Sequence, residues 1–249
     1  MTAVLETRGL QKQFGAVVAA NDVSVSARRG ERLGLIGNNG AGKTTFVNMV
    51  TGYIRPDRGQ VMLDGREITG LAPRAVSRQG VSRSFQIPQL FPTLTPEENL
   101  LVALGIGRPR GLSPWRPASA PELLAEAEDL LARFRLRDYR DHAVSALPGG
   151  VRKLVDIAMA VTQRPKLLLL DEPTSGVAAE EKFPLMDVIM AALEGGDVTV
   201  LFVEHDMEIV GRYAERVLAF YDGRIIADDI PATVLGNPEV QRYVSGFAN

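Results

Sequence analysis

The sequence contains no cysteine and no apolar run that approaches the length of a membrane span. Without cysteine the chain has no disulfide framework, no thiolate metal site and no thiol nucleophile, which is compatible with a reducing cytoplasm. A membrane-spanning helix needs about 20 consecutive apolar residues. If this protein works at a membrane, we therefore expect another chain to cross it.

Excess charge is also missing, since the formal net charge is −2 over 249 residues. A chain without a strong positive field does not attract the phosphates of nucleic acids, so we expect no nucleic acid partner. Apolar residues make up 45% of the chain and charged residues 23%, close to the usage of ordinary globular domains. The length allows one large domain or two small ones.

Short β-rich segments alternate with longer helical ones, which predicts an α/β fold. The predicted strands include residues 17–25, 33–36, 60–63 and 198–203. Residues 167–170 are consecutive leucines, the pattern of a parallel strand that is covered on both faces. This strand leads into Asp171 and Glu172, at the carboxyl edge where parallel sheets bind their ligands.

The middle of the chain is predicted to be largely helical. Residues 121–134 carry an apolar stripe at helical spacing, and a second helix is expected at about 151–161. The residues of the stripe are Leu123, Leu124, Ala127, Leu130 and Leu131. Residues 105–121 are rich in proline, glycine and arginine and include Trp115, a composition that predicts a long exposed loop.

A glycine-rich segment follows the predicted strand 33–36 and fits the pattern GxxxxGK[ST] at every position. Its residues are Gly37, Asn38, Asn39, Gly40, Ala41, Gly42, Lys43 and Thr44. Glycines let such a loop curl so that its N–H groups face an anion, and the following helix adds its positive N-terminal end. We expect Lys43 to reach the β- and γ-phosphates, the Thr44 hydroxyl to coordinate Mg²⁺, and Thr45 to add a further donor.

The context of this segment favours a nucleotide site over a chance match. Ordinary residue frequencies produce the pattern about once in a hundred chains of this length. Here a strand is predicted directly before the segment and a helix, residues 45–50, directly after it, with Gly52 as a C-terminal cap. We therefore predict that the chain binds ATP together with Mg²⁺.

Three further polar residues follow predicted strands and complete a candidate hydrolytic site. Because neighbours on a strand point to opposite sides, Asp171 and Glu172 can take separate roles. We expect Asp171 to bind Mg²⁺ and Glu172 to orient or deprotonate the attacking water. His205 follows the strand at 198–203, where it can contact the γ-phosphate and help to hold the water. His142 lacks such a setting and is interpreted as structural.

Together these motifs resemble the nucleotide-binding subunit of ATP-binding cassette (ABC) transporters, in that family's order and over essentially the whole chain. The resemblance implies a P-loop NTPase core with a mostly parallel central sheet, an N-terminal antiparallel β subdomain and a helical subdomain. It implies one domain of residues 1–249, with the helical subdomain at about 87–162. The C-terminal part, about 216–249, is expected to form a hairpin around Asp222 and Gly223, followed by helices.

Two loops acquire roles from the same resemblance. Residues 84–86 are similar to the family's glutamine loop, which implies that Gln86 contacts Mg²⁺ or the attacking water and senses the membrane subunit. Phe14 occupies the place of the aromatic residue that stacks on adenine. Taken alone, a phenylalanine more often belongs to a core.

The signature segment departs from the family's Leu-Ser-Gly-Gly-Gln. Residues 147–151 have proline in place of the serine and valine in place of the glutamine. Pro148 therefore lacks the hydroxyl that normally donates to the γ-phosphate of the partner subunit's ATP, and it has no N–H. Gly149 and Gly150 keep N–H groups at a helix start, so we expect an altered but working contact with that nucleotide. Ala178 replaces an aspartate that many members carry.

Within the family, the chain most resembles the ATPases of branched-chain and other hydrophobic amino acid importers. The supporting residues are Asn38, Asn39, residues 85–86 and 90–95, the insertion around Trp115 and residues 203–207. The resemblance implies a peripheral subunit on the cytoplasmic face of the inner membrane. Its implied partners are a second, identical or different, ABC ATPase subunit, transmembrane permease subunits and, indirectly, a solute-binding receptor.

Three alternatives stay open at this point. An ATPase of a lipopolysaccharide-type exporter has a similar layout, and copurifying membrane proteins would separate it from an importer. A soluble ABC ATPase of translation or DNA repair usually carries two cassettes or a long coiled-coil insertion, and this chain has neither. A cassette that binds ATP without hydrolysing it is favoured by Pro148, Val151 and Ala178, but opposed by Lys43 and Glu172.

Overall fold

The computed structural model of the chain describes residues 3–107 and 120–244. Most of the predicted loop at 105–121, including Trp115, lies outside these residues. The strands are β1 (Ala3–Phe14), β2 (Val17–Arg28), β3 (Arg32–Gly37), β4 (Arg58–Leu63), β5 (Arg66–Glu67), β6 (Val81–Ser84), β7 (Leu167–Asp171), β8 (Thr199–Val203), β9 (Arg216–Tyr221) and β10 (Arg224–Asp229). The helices are α1 (Lys43–Val50), α2 (Pro73–Arg78), α3 (Pro96–Gly107), α4 (Pro121–Arg133), α5 (Gly149–Val161), α6 (Ala179–Leu193), α7 (Met207–Tyr213), α8 (Pro231–Gly236) and α9 (Pro238–Tyr243).

The chain divides into two compact units. The sheet unit comprises Met1–Ser82, Lys166–Glu172 and Asp197–Asn249. The helical unit comprises Arg83–Pro165 and Pro173–Gly196. Within the described ranges, no helix combines the length and the apolar character that crossing a membrane requires.

An antiparallel sheet in the strand order β2-β1-β4-β5 forms one part of the sheet unit. The second half of β2 shows why it folds against a core: Val23, Val25 and Ala27 are buried, and the residues between them are exposed. This period of two is the signature of a strand with one covered face.

The second sheet has the order β10-β9-β3-β8-β7-β6. Strands β9, β3, β8 and β7 run parallel to one another, and among the pairs described only β10 with β9 is antiparallel. Every residue of β8 is buried, as are Leu167, Leu168, Leu169 and Leu170 of β7. Strands covered on both faces are typical of parallel sheets, so the predicted α/β fold with a mostly parallel central sheet is confirmed.

The hairpin of β9 and β10 turns through two residues, as the sequence predicted. Tyr221 pairs with Arg224, and both Asp222 and Gly223 have positive φ angles, 47° and 72°. This conformation matches the twist of the flanking strands, and aspartate followed by glycine is the sequence that favours it. Across the hairpin, the Arg216 guanidinium donates to both carboxylate oxygens of Asp228.

In the helical unit, α3 contacts α4 and α5, and α6 contacts both α4 and α5. Helix α4 buries Leu123, Ala127, Leu130 and Leu131, which confirms most of the predicted stripe. The expectation for Leu124 is wrong, because 36% of its surface is exposed. The buried four recur at intervals of four, three and one, and Leu124 lies to the side of this face.

Candidate functional site

The phosphate loop connects β3 to α1, and two of its glycines occupy positions where no side chain fits. Gly37 has a φ of 152°, and a Cβ there would lie 2.5 Å from the carbonyl oxygen of Phe220. Gly42 has a φ of 104°, and its Cβ would lie 2.5 Å from the carbonyl oxygen of Ala19. Since real Cβ atoms essentially never approach within 3.0 Å, the loop can take this path only with glycine.

The first turn of α1 presents backbone N–H groups and a partial positive charge at the end of this loop. N–H groups in a first helical turn have no acceptor within the helix, and the helix dipole adds a partial positive charge. The turn carries no acidic residue and its N-cap, Gly42, makes no side-chain cap. Thr44 is exposed and Thr45 half-buried. This arrangement favours the binding of an anion such as phosphate.

Lys43 lies inside the curl of the loop, and only 5% of its surface is exposed. Its Nζ donates to the carbonyl oxygens of Gly37 at 2.5 Å and Asn38 at 3.1 Å. Burial lowers the pKa of the ammonium, while the charges of Glu172 and Asp171 act in the opposite direction. A desolvated ammonium of this kind gains strongly from an anionic ligand.

Glu172 lies one residue beyond β7, in a left-handed conformation with a φ of 49°. Such a conformation is uncommon for residues other than glycine. Its N–H donates to the carbonyl oxygen of Val203, the last residue of β8, at 3.0 Å. Our expectation that strand alternation separates Asp171 from Glu172 is therefore wrong, because Glu172 is not in the strand. The left-handed backbone of Glu172 and the hydrogen bond from its N–H set the direction in which its side chain leaves the chain.

His205 approaches Glu172 from the end of the neighbouring strand. Its Nε2 lies 2.9 Å from Oε1 of Glu172. Two backbone contacts hold this segment: the Glu204 N–H donates to the carbonyl oxygen of Leu35 at 3.2 Å, and the His205 N–H donates to the Glu204 carboxylate at 3.1 Å. Asp206 then caps α7 by accepting from its first turn. A carboxylate and an imidazole in hydrogen-bond contact are a pair that can orient and deprotonate water.

Phe14 lies at the end of β1 and pairs with Val17 across a tight turn. The alternative that Phe14 belongs to a core does not hold, because 48% of its surface is exposed. Its contact with adenine stays a prediction. The Lys12 ammonium lies 5.4 Å from the ring centroid. The hairpin's second strand, β2, continues to Ala19, whose carbonyl oxygen faces Gly42 of the phosphate loop. An exposed aromatic ring on this hairpin has the chemistry to stack on a base.

The donor set fits a magnesium ion that is bound together with phosphates. Across the described part of the chain, no three His, Asp or Glu residues come together as a metal cluster. Magnesium is commonly held by one or two protein oxygens plus the substrate's phosphates, and it rarely needs an all-protein cage. Thr44 is the second residue of α1 and Asp171 ends β7, so each offers an oxygen ligand.

The other predicted site residues belong to the helical unit. Gly149 and Gly150 are the first two residues of α5, and Pro148 is its N-cap without a side-chain hydrogen bond. The Pro148 carbonyl oxygen accepts from the N–H of Arg152 at 3.0 Å. The backbone carbonyl oxygen of Gln86 accepts from the Lys153 ammonium at 2.5 Å. The roles of Gln86, Gly149 and Gly150 at a nucleotide stay predictions.

Sequence reasoning missed two buried charges on α5 that hold the glutamine loop. Lys153 is 3% exposed and donates to the carbonyl oxygens of Gln86 and Phe85. Asp156 is 6% exposed and accepts from the N–H of Gln89 at 2.9 Å. Burial raises the pKa of Asp156, with its hydrogen bonds and Lys153 acting against the shift. A charged pair three residues apart on an otherwise apolar helix face was the signal available in the sequence.

In the sheet unit, a glycine loop, a helix N-terminus, a buried lysine and a glutamate paired with a histidine meet at the carboxyl edge of a parallel sheet. This combination defines a phosphate-loop nucleotide-binding protein with the groups for hydrolysis. The phosphate loop and the strand before Asp171 both fall within residues 20–175, which match the family model described as ABC transporter.

Curated relatives cover almost the whole chain. The chain is 35% identical over 251 residues to BraF of Pseudomonas aeruginosa, a high-affinity branched-chain amino acid transport ATP-binding protein, with 98% of each chain covered. It is 34% identical to LivG of Escherichia coli (strain K12), described in the same words, again over 251 residues and 98% of each chain.

Solved structures agree with these relatives. The ADP conformation of MJ1267, an ATP-binding cassette of an ABC transporter, matches with a TM-score of 0.86 at 32% identity, over 97% of this chain and 98% of that one. A nucleotide-free ATP-binding cassette from an ABC transporter matches with a TM-score of 0.82 at 32% identity, over 96% and 97%. The chain therefore belongs to the ABC transporter family, as an ATP-binding subunit with ATPase activity coupled to transport.

Proposed function

We propose that this chain powers an importer of branched-chain or other hydrophobic amino acids by hydrolysing ATP. The names of the relatives support the substrate class. The observation that carries the hydrolytic role is the contact of 2.9 Å between His205 and Glu172, beside the buried Lys43. A subunit that only bound ATP would need the lysine and the loop, but not this pair.

In the proposed mechanism the phosphate loop binds the triphosphate of ATP. The N–H groups of residues 40–45 cradle the β- and γ-phosphates, and Lys43 exchanges its loop carbonyls for phosphate oxygens. Asn38, Asn39 and Ala41 shape the loop, and Phe14 stacks on the adenine. When bound, Mg²⁺ neutralises charge on the phosphates, and Thr44, Asp171 and Gln86 are the residues that would hold it.

Glu172 is the proposed base for the attacking water. His205 orients this base through its contact with the Glu172 carboxylate, and it contacts the γ-phosphate when ATP is bound. The backbone of Glu172 is held by the hydrogen bond from its N–H to the Val203 carbonyl oxygen, and the carboxylate is held by its contact with His205. Proton removal by Glu172 and charge stabilisation by Lys43 together favour in-line attack on the γ-phosphate.

A second ATPase subunit, identical or different, completes the proposed site. The N–H groups of Gly149 and Gly150 at the start of α5 contact the γ-phosphate held by the other subunit. Closure around ATP drives transmembrane permease subunits, and release of phosphate reopens the pair, because the γ-phosphate distinguishes the two states. In this proposal the chain is peripheral to the cytoplasmic face of the membrane.

The test is the substitution Glu172→Gln in the complex purified with its permease subunits. We expect ATP hydrolysis to fall at least a hundredfold, about the effect of losing a general base, while ATP binding persists. Glu67→Gln is the matched control, since Glu67 is an exposed glutamate on β5 of the same unit. Undiminished hydrolysis in Glu172→Gln would refute the catalytic role.

The substrate class is tested separately, by comparing the uptake of radiolabelled leucine with that of a polar amino acid in the reconstituted transporter.

A further inference from the structure

The C-terminal helix α9 contacts the phosphate loop directly. The side-chain amide Nδ2 of Asn38, the second residue of the loop pattern, donates to the backbone carbonyl oxygen of Tyr243 at 2.5 Å. Tyr243 is the last residue of α9 and lies 205 positions further along the chain. Carbonyl groups in a last helical turn have no acceptor role within the helix, so this oxygen is available for Asn38.

Several contacts fix the position of that carbonyl. The Tyr243 ring stacks on the Tyr221 ring, with centroids 4.5 Å apart and 26° between the planes. Asn237 caps the start of α9 by accepting from the Glu239 N–H at 2.8 Å. Val240, in the middle of the helix, is fully buried. A six-residue helix is not stable in isolation, so α9 keeps its place through these contacts.

Tyr221 connects the ring stack to a second contact with the loop. It is the last residue of β9, directly before the turn at Asp222 and Gly223. The Gly223 N–H donates to the carbonyl oxygen of Ala41, inside the phosphate loop, at 3.1 Å. The loop is therefore held at Asn38 by α9 and at Ala41 by the hairpin, and the two tyrosine rings join these supports to each other.

We propose that Tyr243 is a positioning residue for the nucleotide site, and that docking of α9 and nucleotide binding are coupled through Asn38. Asn38 precedes the N–H groups that face the phosphates. A change in its hydrogen bond to Tyr243 therefore changes the orientation of these N–H groups. Tyr243 itself contacts no reacting atom. The proposal rests on the proposed function, because it takes the phosphate loop to bind nucleotide.

Coupling of this kind is reciprocal. If docked α9 raises the affinity of the loop for nucleotide, bound nucleotide stabilises docked α9 by the same factor. The amide of Val244, which donates to the Val240 carbonyl oxygen at 2.8 Å, reports on the integrity of α9. ADP with Mg²⁺ should slow hydrogen exchange at this amide, although the amide belongs to neither the loop nor the hairpin.

The test is a double-mutant cycle with Asn38→Ala and Tyr243→Ala, in which the Kd for Mg-ADP is measured by calorimetry on the folded proteins. One hydrogen bond corresponds to about a fivefold change, which is the upper limit for this coupling, so each single variant should bind ADP more weakly by up to about fivefold. Asn38→Ala removes the amide donor, and Tyr243→Ala removes the ring stack that positions its acceptor. Because both changes break one connection, the double variant should bind no more weakly than either single variant. Tyr243→Phe keeps the ring stack and the carbonyl, and should restore the wild-type Kd.

The outcomes separate this proposal from the proposed function. Wild-type protein that fails to bind ADP would refute both. Wild-type binding with an unchanged Kd in Tyr243→Ala, or with additive losses in the double variant, would overturn the coupling alone and leave a purely structural role for Tyr243. If Tyr243→Ala does not fold, Asn38→Ala decides the matter, because it must abolish the ADP-dependent protection at Val244.

Discussion

Restoring a serine at the start of α5 is the sharpest test of the altered signature segment. Pro148 is the N-cap of this helix, with a φ of −54° and a ψ of 154°, and it makes no side-chain cap. Serine adopts these angles without strain and is among the favoured N-cap residues. Pro148→Ser therefore adds two things that the chain lacks: a helix cap, and a hydroxyl beside the N–H groups of Gly149 and Gly150.

The two additions have different expected magnitudes. An N-cap hydroxyl stabilises a helix by about 1 kcal/mol, but losing proline costs about 0.4–1 kcal/mol through the entropy of the unfolded chain. The melting temperature should therefore change little. A hydrogen bond to a charged group contributes about 1.5–3 kcal/mol. If the hydroxyl reaches the partner subunit's γ-phosphate, ATP-dependent closure should become about ten- to a hundredfold more favourable at that site.

Pro148→Ala is the control, because it removes proline without supplying a hydroxyl. Both substitutions are introduced into the Glu172→Gln chain, so that ATP is bound without turnover, and the ATP concentration for half-maximal closure is measured in the assembled complex. Serine should lower this concentration relative to both alanine and proline. Equal values for serine and alanine would refute the reasoning, and would mean that the start of α5 does not face a nucleotide.

Two further predictions follow from buried charges. Lys43→Met should abolish the rise in melting temperature caused by ATP. It should also raise the melting temperature of the ligand-free protein, because burial disfavours the ammonium and lowers its pKa. A lower melting temperature of the ligand-free variant would contradict this reasoning. For Asp156, burial raises the pKa above 3.8, so the native state binds more protons than the unfolded state in that window. The free energy of unfolding should therefore fall as pH rises through the folded pKa, and Asp156→Asn should remove this decline in urea titrations; an unchanged pH profile would contradict it.

The phosphate loop could be predicted from the sequence because its information is local. Glycines at fixed positions, a strand before them and a helix after them are all contained within about 20 residues. Gly52 illustrates the point: it has a φ of 79° just after α1, as a C-terminal glycine cap requires. The proximity of Glu172 and His205 was also predictable, because both follow parallel strands and such strands share one carboxyl edge.

Other features depend on distant parts of the chain and left no readable pattern. The contact between Asn38 and Tyr243 joins residues 205 positions apart, and one asparagine in a glycine-rich loop does not indicate its partner. The left-handed backbone of Glu172 was missed because strand alternation was extended one residue too far. The exposure of Phe14 follows from its place at a hairpin end; the family resemblance implied an exposed ring, whereas the composition of β1 alone does not specify one.

The backbone hydrogen bonds at the carboxyl edge of the sheet have a consequence for how this site tolerates sequence change. The Glu172 N–H is bound to Val203 and the Glu204 N–H to Leu35, so main-chain groups from three strands fix one another. These hydrogen bonds join backbone groups and use no side-chain atom. Substitutions at neighbouring apolar positions can therefore accumulate while the reactive groups keep their spacing, and the chain can diverge widely in sequence without losing its chemistry.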